Sequence, residues 1–100
     1  MIKNVVFLDR DTFPEGFKVP PLKINAKWKY YGFTTDIQVS KRIKNAHIIV
    51  NNKVNLTSKN LKDAKNLELI AISATGTNII DLEYCKTKSI AVTNLRNYAS

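Results

Sequence analysis

Glycine, cysteine and histidine are scarce in this sequence, and each shortage excludes a class of functional site. The 100 residues include three glycines, one cysteine and one histidine. Gly16, Gly32 and Gly76 cannot form the G-x-G-x-x-G fingerprint of dinucleotide-binding folds or the glycine-rich phosphate loop of nucleotide hydrolases. A structural zinc site needs about four Cys or His ligands, so we expect no metal site. A single cysteine excludes a disulfide within the chain and indicates a reducing, cytoplasmic compartment.

Long apolar runs and acidic residues are also in short supply. No apolar stretch approaches the roughly 18 residues of a membrane-spanning helix, and the N-terminus lacks the features of a secretory signal. Eight acidic residues stand against 16 basic ones, which gives a net charge of +8. Such a charge can attract nucleic acid, an acidic surface or a small anion. The 13 lysines are spread along the whole chain without a compact basic run, so we expect a solvated surface and neither a nucleic-acid nor a membrane partner.

Apolar residues make up 44% of the chain, enough for the core of one small domain. Short apolar runs predict five strands, and these alternate with three amphipathic segments that predict helices. The strands are predicted at 5–8, 28–33, 47–50, 67–72 and 90–92, and the helices at 36–45, 56–65 and 79–87. Because strand and helix alternate at crossover length, the pattern indicates an α/β fold with a parallel sheet and helices on both faces.

Particular residues predict where the helices begin and which sides they bury. Thr35 and Gln38 match a capping box at the start of the first helix, and Asn78 is placed to cap the third, with Asp81 in its first turn. The side chains expected to face the core are Ile37, Ile43 and Ala46 from the first helix and Leu61 and Ala64 from the second.

Ligands of open parallel sheets bind outside the carboxyl ends of the strands. Three polar segments follow strands there, at 51–53, 73–77 and 93–100. Gly76 lies where the fourth strand turns into a helix, and its missing side chain permits close approach of a ligand. The free amides at a helix N-terminus favour an anion, such as a carboxylate or phosphate. The alternative is that Gly76 only makes a turn.

Three separated segments carry a family resemblance. They are Val50-Asn51-Asn52-Lys53-Val54-Asn55-Leu56, Ala74-Thr75-Gly76-Thr77-Asn78-Ile79-Ile80-Asp81 and Ile90-Ala91-Val92-Thr93-Asn94. Their order and spacing resemble the D-isomer-specific 2-hydroxyacid dehydrogenases, in particular the glycerate dehydrogenase/hydroxypyruvate reductase branch. The resemblance covers roughly 35–100 and implies a flavodoxin-like fold, with 1–100 as the N-terminal part of a substrate-binding domain.

The resemblance also implies substrate-binding residues. The amides of Thr75 and Gly76 match those that hold the substrate carboxylate, and Asn52 and Lys53 match the segment bordering the same cleft. Lys53 can instead be an ordinary solvated lysine. Tyr98 is a candidate for cofactor contact, with loop solvation as its alternative. His47 begins an apolar strand and Cys85 lies in a predicted helix, so we expect both to have packing roles.

The catalytic Arg, Glu and His of the resembled family, and its NAD-binding Rossmann domain, match nothing within these 100 residues. The resemblance therefore implies an NAD-dependent oxidoreductase, homodimeric at full length, that acts on small D-2-hydroxy acids, with glycerate/hydroxypyruvate as the best match. The chain alone is expected to be inactive. The alternative is a stand-alone basic α/β module that binds anions or nucleic acid without catalysis.

Overall fold

The computed structural model describes residues 1–19, 23–73 and 79–95, and its centre is a parallel sheet. The strands are β1 (Lys3–Phe7), β2 (Ala26–Tyr30), β3 (Ile48–Asn51), β4 (Leu69–Ile72) and β5 (Ala91–Asn94). The helices are α1 (Asp36–Ile43), α2 (Ser58–Leu61) and α3 (Leu82–Thr87), and a 3-10 turn spans Arg10–Thr12. The five strands lie in the order β2-β1-β3-β4-β5, all parallel. The predicted flavodoxin-like α/β sheet is confirmed.

The central strands bury side chains on both faces, as parallel strands between two layers do. Alternate residues point to opposite faces: Val6 and Ile49 belong to one buried cluster, and Val5 and Val50 to the other. The sheet therefore separates two cores, and the central strands have no polar face.

The three described α-helices all contribute to the first of these cores. The predicted helix layers are therefore confirmed on one face only among the described residues, and the second core contains no α-helix residue there. Val39, Ile43 and Ala46 are fully buried in the first core and follow the i, i+4, i+7 spacing of one helix face. Ile37 is 93% exposed, so the prediction that it faces the core is wrong. It lies about 200° around the helix from Val39, and burying both would have required a much wider apolar face.

A backbone bridge joins the segments that precede α2 and α3, and both helices begin at later residues than predicted. Leu56 forms a parallel bridge with Ile80, in which the Leu56 amide donates to the Ile79 carbonyl at 2.8 Å. The Asp81 amide donates to the Leu56 carbonyl at 2.9 Å. The prediction of a helix from 79 is therefore wrong, since α3 begins at Leu82 and Asp81 is its N-cap. The predicted cap, Asn78, lies outside the described residues. The predicted burial of Leu61 and Ala64 is confirmed.

The segment between β1 and β2 covers the second core. Phe13 is buried against Phe7, with ring centroids 4.9 Å apart in an edge-to-face arrangement, and Phe17 packs beside it. β2 ends at Tyr30, earlier than predicted, and Phe33 beyond it is 70% exposed. In the described ranges no helix has the length and apolar character needed to cross a bilayer.

Candidate functional site

The side on which the following strand is added to the sheet changes between β1 and β3, although all the strands are parallel. The first connection leads from β1 outward to β2, whereas every later connection leads through β3 toward β5. Adjacent strands with oppositely directed connections leave a crevice at their carboxyl ends, and open α/β sheets bind ligands there. The residues that follow β1, β3 and β4 at this edge therefore define the candidate site.

Asp9 lies at the centre of this edge, two residues after β1. Its side chain is buried, with only 2% of the residue exposed. Oδ1 accepts the Asn52 amide at 3.0 Å, and Oδ2 accepts the Lys53 amide at 2.7 Å. Hydrogen bonds to an ionised acceptor are about twice as strong as neutral ones. One carboxylate thus ties the end of β1 to the loop after β3.

The Asn52 side chain links the end of β3 to two further parts of the same edge. Its Nδ2 donates to the carbonyl oxygen of Thr12 at 3.1 Å and to Thr12 Oγ1 at 3.0 Å. Its Oδ1 accepts the hydroxyl of Ser73, the residue that follows β4. Because both ends of the amide are used, the side chain sets the spacing between the 3-10 turn, β3 and β4.

Asn51 shapes the turn that carries Lys53. It is fully buried, and its amide makes two bonds with Val54: Nδ2 donates to the Val54 carbonyl at 2.7 Å, and Oδ1 accepts the Val54 amide at 3.0 Å. Asparagine commonly stabilises turns by such local bonds. Lys53 itself is exposed and makes no ion pair within the described part of the chain. Its ammonium remains available at the edge of the crevice.

Of the five candidate site residues predicted from the sequence, the described part of the structure brings two together. Asn52 and Lys53 are neighbours at the crevice, whereas Thr75, Gly76 and Tyr98 lie outside the described residues. Sequence reasoning missed Asp9 and Thr12 as parts of this edge. Asp9 had a usable signal, because an acidic residue directly after a buried strand lies at the ligand-binding edge of a parallel sheet.

His47 and Cys85 have packing roles, as predicted. His47 is 6% exposed, and its Nδ1 accepts the Asn4 amide at 2.9 Å, which joins the starts of β1 and β3. His47 and Asn4 therefore lie at the amino ends of β3 and β1, away from the crevice. Cys85 is buried in α3, and burial, followed by the charge of Asp81, raises the pKa of its thiol. A thiol held in its neutral form is a poor nucleophile.

Among the described residues, the edge offers hydrogen-bond geometry and the exposed ammonium of Lys53 rather than acid–base chemistry. Asp9 is the buried carboxylate there, and both of its oxygens already accept amides. It is therefore occupied as a structural acceptor. Lys53 supplies a positive charge on a rigidly held backbone, which suits binding of an anion.

Comparison with known proteins identifies relatives over most of the chain. Residues 17–100 match the D-isomer specific 2-hydroxyacid dehydrogenase catalytic domain. The chain is 38% identical over 100 residues to a glycerate dehydrogenase of Methylorubrum extorquens, covering 99% of this chain and 31% of that protein. It is 41% identical over 58 residues to D-3-phosphoglycerate dehydrogenase 1 of Saccharomyces cerevisiae, covering 57% of this chain and 12% of that one.

A solved structure shares the fold. The crystal structure of a cofactor (NAD+)-bound 3-phosphoglycerate dehydrogenase of Entamoeba histolytica superposes with a TM-score of 0.71 at 18% identity, covering 94% of this chain and 33% of that one. Nearly all of this chain is covered by each of the glycerate dehydrogenase and 3-phosphoglycerate dehydrogenase matches, yet the chain spans only about a third of the length of either protein. From the match over residues 17–100, the chain belongs to the D-isomer specific 2-hydroxyacid dehydrogenase family, through its catalytic domain.

Proposed function

We propose that this chain is the N-terminal part of the substrate-binding domain of an NAD-dependent oxidoreductase. The reaction proposed is hydride transfer at the CH–OH group of a small D-2-hydroxy acid, of which glycerate, with hydroxypyruvate as the oxidised partner, is the best match. Family membership supports the reaction class, and the similarity to a glycerate dehydrogenase supports the substrate. The observation that carries the site is the Asp9 carboxylate, which holds the backbone of Asn52 and Lys53 at the switch point of the sheet.

The proposed ligand group is the substrate carboxylate. The amides of Thr75 and Gly76 would bind its oxygens, and the Lys53 ammonium would add a positive charge beside them. Asn52 borders this site, but both ends of its side-chain amide are engaged. We therefore assign Asn52 a positioning role: it holds Ser73, which directly precedes the proposed carboxylate loop.

The described residues do not fit a dinucleotide site. Such a site needs a glycine-rich turn after a strand, and Gly16 and Gly32 lie in unrelated loops. We propose that NAD is bound mainly by a separate domain, which would also supply the Arg, Glu and His, and that the complete enzyme is a homodimer. This chain alone should then show no turnover. NADH oxidation by the purified 100-residue chain with hydroxypyruvate, followed by the loss of NADH absorbance, would contradict this.

Carboxylate binding can be tested on the chain itself by titrating D-glycerate into isotope-labelled protein. We expect the backbone amide signals of Lys53 and Ser73 to move, while glycerol, which lacks the carboxylate, leaves them in place. Lys53→Ala should weaken the affinity about two- to fivefold, as expected for loss of one exposed charge. Lys59→Ala, at another exposed lysine that lies on α2, is the matched control. Equal shifts with glycerol, or equal weakening by both variants, would place carboxylate binding elsewhere.

A further inference from the structure

The outer edge of the sheet combines three features that the proposed dehydrogenase function does not use. Among the described residues β2 pairs with β1 alone, and no other described strand lies on its outer side. The first feature is the row of backbone N–H and C=O groups on the outer side of β2. The Lys3 amide donates to the Asn25 carbonyl at 2.8 Å, and the Tyr31 amide donates to the Phe7 carbonyl at 2.8 Å.

These two bonds fix which residues of β2 face β1. Backbone groups of a strand alternate in direction along the chain, so the odd-numbered residues face β1. The N–H and C=O groups of Ala26, Trp28 and Tyr30 therefore point outward from the sheet. An open row of this kind is a template for another extended chain.

The second feature is a basic groove beside this edge, on the helix face of the sheet. It encloses about 700 Å³ between β2 and α1. Its cationic lining consists of Lys27 and Lys29 from β2 and Lys41 and Arg42 from α1, and no described acidic residue lines it. Arg42 is held in place, with its Nη1 2.6 Å from the Phe33 carbonyl oxygen and its guanidinium carbon 4.0 Å from the centroid of the Tyr31 ring.

The third feature is an aromatic surface on the opposite side of the same strand. Trp28 and Tyr30 stack with ring centroids 5.7 Å apart and planes 14° from parallel. Tyr30, the last residue of β2, is 59% exposed although it is a large aromatic residue. Thus β2 presents lysines on one face and aromatic rings on the other, with free backbone groups between them.

We propose that the outer edge of β2 binds an extended peptide segment by strand addition, and that the segment alternates acidic and apolar side chains. Added strands place alternate side chains on opposite faces. The acidic residues would lie beside Lys27 and Lys29 in the groove, and the apolar residues would pack on Trp28 and Tyr30. Cross-strand pairs of opposite charge and of aromatic with apolar residues both stabilise a sheet.

Other occupants would use only part of this surface. A small anion or a nucleic acid would engage the cations and leave the outward backbone row unpaired. A second copy of the chain, paired edge to edge, would set its own Lys27 and Lys29 against the same lysines, and like charges across a strand pair are destabilising. An acidic, amphipathic strand satisfies all three features together. The inference is independent of the proposed dehydrogenase activity.

The test uses a fluorescent peptide of about nine residues that alternates Glu with Val or Leu, long enough to overhang the five-residue β2. We expect anisotropy to report saturable binding to the full chain. A peptide of the same composition with its Glu residues grouped together should bind at least about tenfold more weakly. N-methylation of one alternate set of peptide nitrogens should abolish binding, and methylation of the other set should not, because only one set faces β2.

Matched variants locate the site. Lys27→Glu with Lys29→Glu should reduce the affinity at least about tenfold, and so should Lys41→Glu, which lies on α1 and leaves the strand unchanged. Lys59→Glu with Lys86→Glu makes the same change of charge at exposed positions outside the groove and should have little effect. Equal binding of the grouped peptide or of single-stranded DNA, or indifference to either methylation pattern, would overturn strand addition in favour of a general polyanion surface.

Discussion

Replacing Asp9 with asparagine tests the bonds that assemble the crevice. The variant keeps the size of the side chain but removes its charge and turns one acceptor oxygen into an NH2 group, which then meets a backbone N–H. Bonds to a charged group contribute about 1.5–3 kcal/mol each, and an unsatisfied buried donor costs about 1–3 kcal/mol. Lys53 is exposed, so water can partly replace its lost bond. We therefore expect a loss of about 2–3 kcal/mol in the free energy of unfolding.

Urea denaturation measures this loss. With the m-value usual for small domains, the midpoint should fall by about 1–2 M, while Glu15→Gln, an exposed carboxylate with the same change of charge, should shift stability by less than about 0.5 kcal/mol. Hydrogen exchange should also accelerate at the amides of Asn52 and Lys53, which Asp9 accepts. If Asp9→Asn matches Glu15→Gln in stability and both amides stay protected, the carboxylate does not hold this loop and the reasoning fails.

Three further changes test other parts of the structure. Asp81→Ala removes the acceptor of the Tyr84 amide, 3.0 Å away, and should lower the free energy of unfolding by about 1 kcal/mol in a melting experiment. Asp81→Ser can still cap α3 and should keep most of that stability. Equal losses in the two variants would show that the cap is unimportant. A Cβ on Gly32 would displace the Asp11 carboxylate, which is the end of an exposed side chain and can rotate away, so Gly32→Ala should change the free energy of unfolding by less than about 0.5 kcal/mol. A larger loss that Asp11→Ala relieves would show instead that this carboxylate is fixed in place. Burial raises the pKa of Cys85 above its ordinary value of 9.0, so native protein should react with a thiol reagent at least about a hundredfold more slowly than protein in urea. Because the pKa of Cys85 is higher in the native state, the stability that the neutral thiol contributes is fully present below the unfolded pKa and is lost as the pH rises through the native pKa. Cys85→Ala should lack this loss of stability at alkaline pH. Rapid labelling of the thiol in native protein would contradict its burial.

The central strands β1, β3 and β4 were predictable because each contains an uninterrupted apolar run. Val5-Val6-Phe7 and Ile48-Ile49-Val50 have to be buried on both faces, and that requirement specifies a parallel sheet with a layer on each side. The boundaries were less predictable. The bridge between Leu56 and Ile80 joins residues far apart in the chain, and no local pattern indicates that it displaces the first turns of two helices.

The candidate site was predictable in position but not in its internal bonds. The segment 51–53 was expected at the carboxyl edge because it follows a buried strand, and Asn52 and Lys53 lie there. The partner that holds them, Asp9, is separated from Lys53 by 44 positions. A hydrogen bond over such a separation depends on strand order, and the composition of neither segment predicts it.

The sequence by itself determined the alternation of buried strands and amphipathic segments, because side-chain periodicity is a local property of the chain. It also determined the surplus of lysine and the absence of a dinucleotide fingerprint. The tertiary structure decided which face of α1 is buried, since Val39 and Ile37 compete for one contact with the sheet and only Val39 is buried. It also decided that Asp9 meets Asn52 and that four cations gather beside the open edge of β2. These arrangements follow from the order β2-β1-β3-β4-β5, which brings distant segments together.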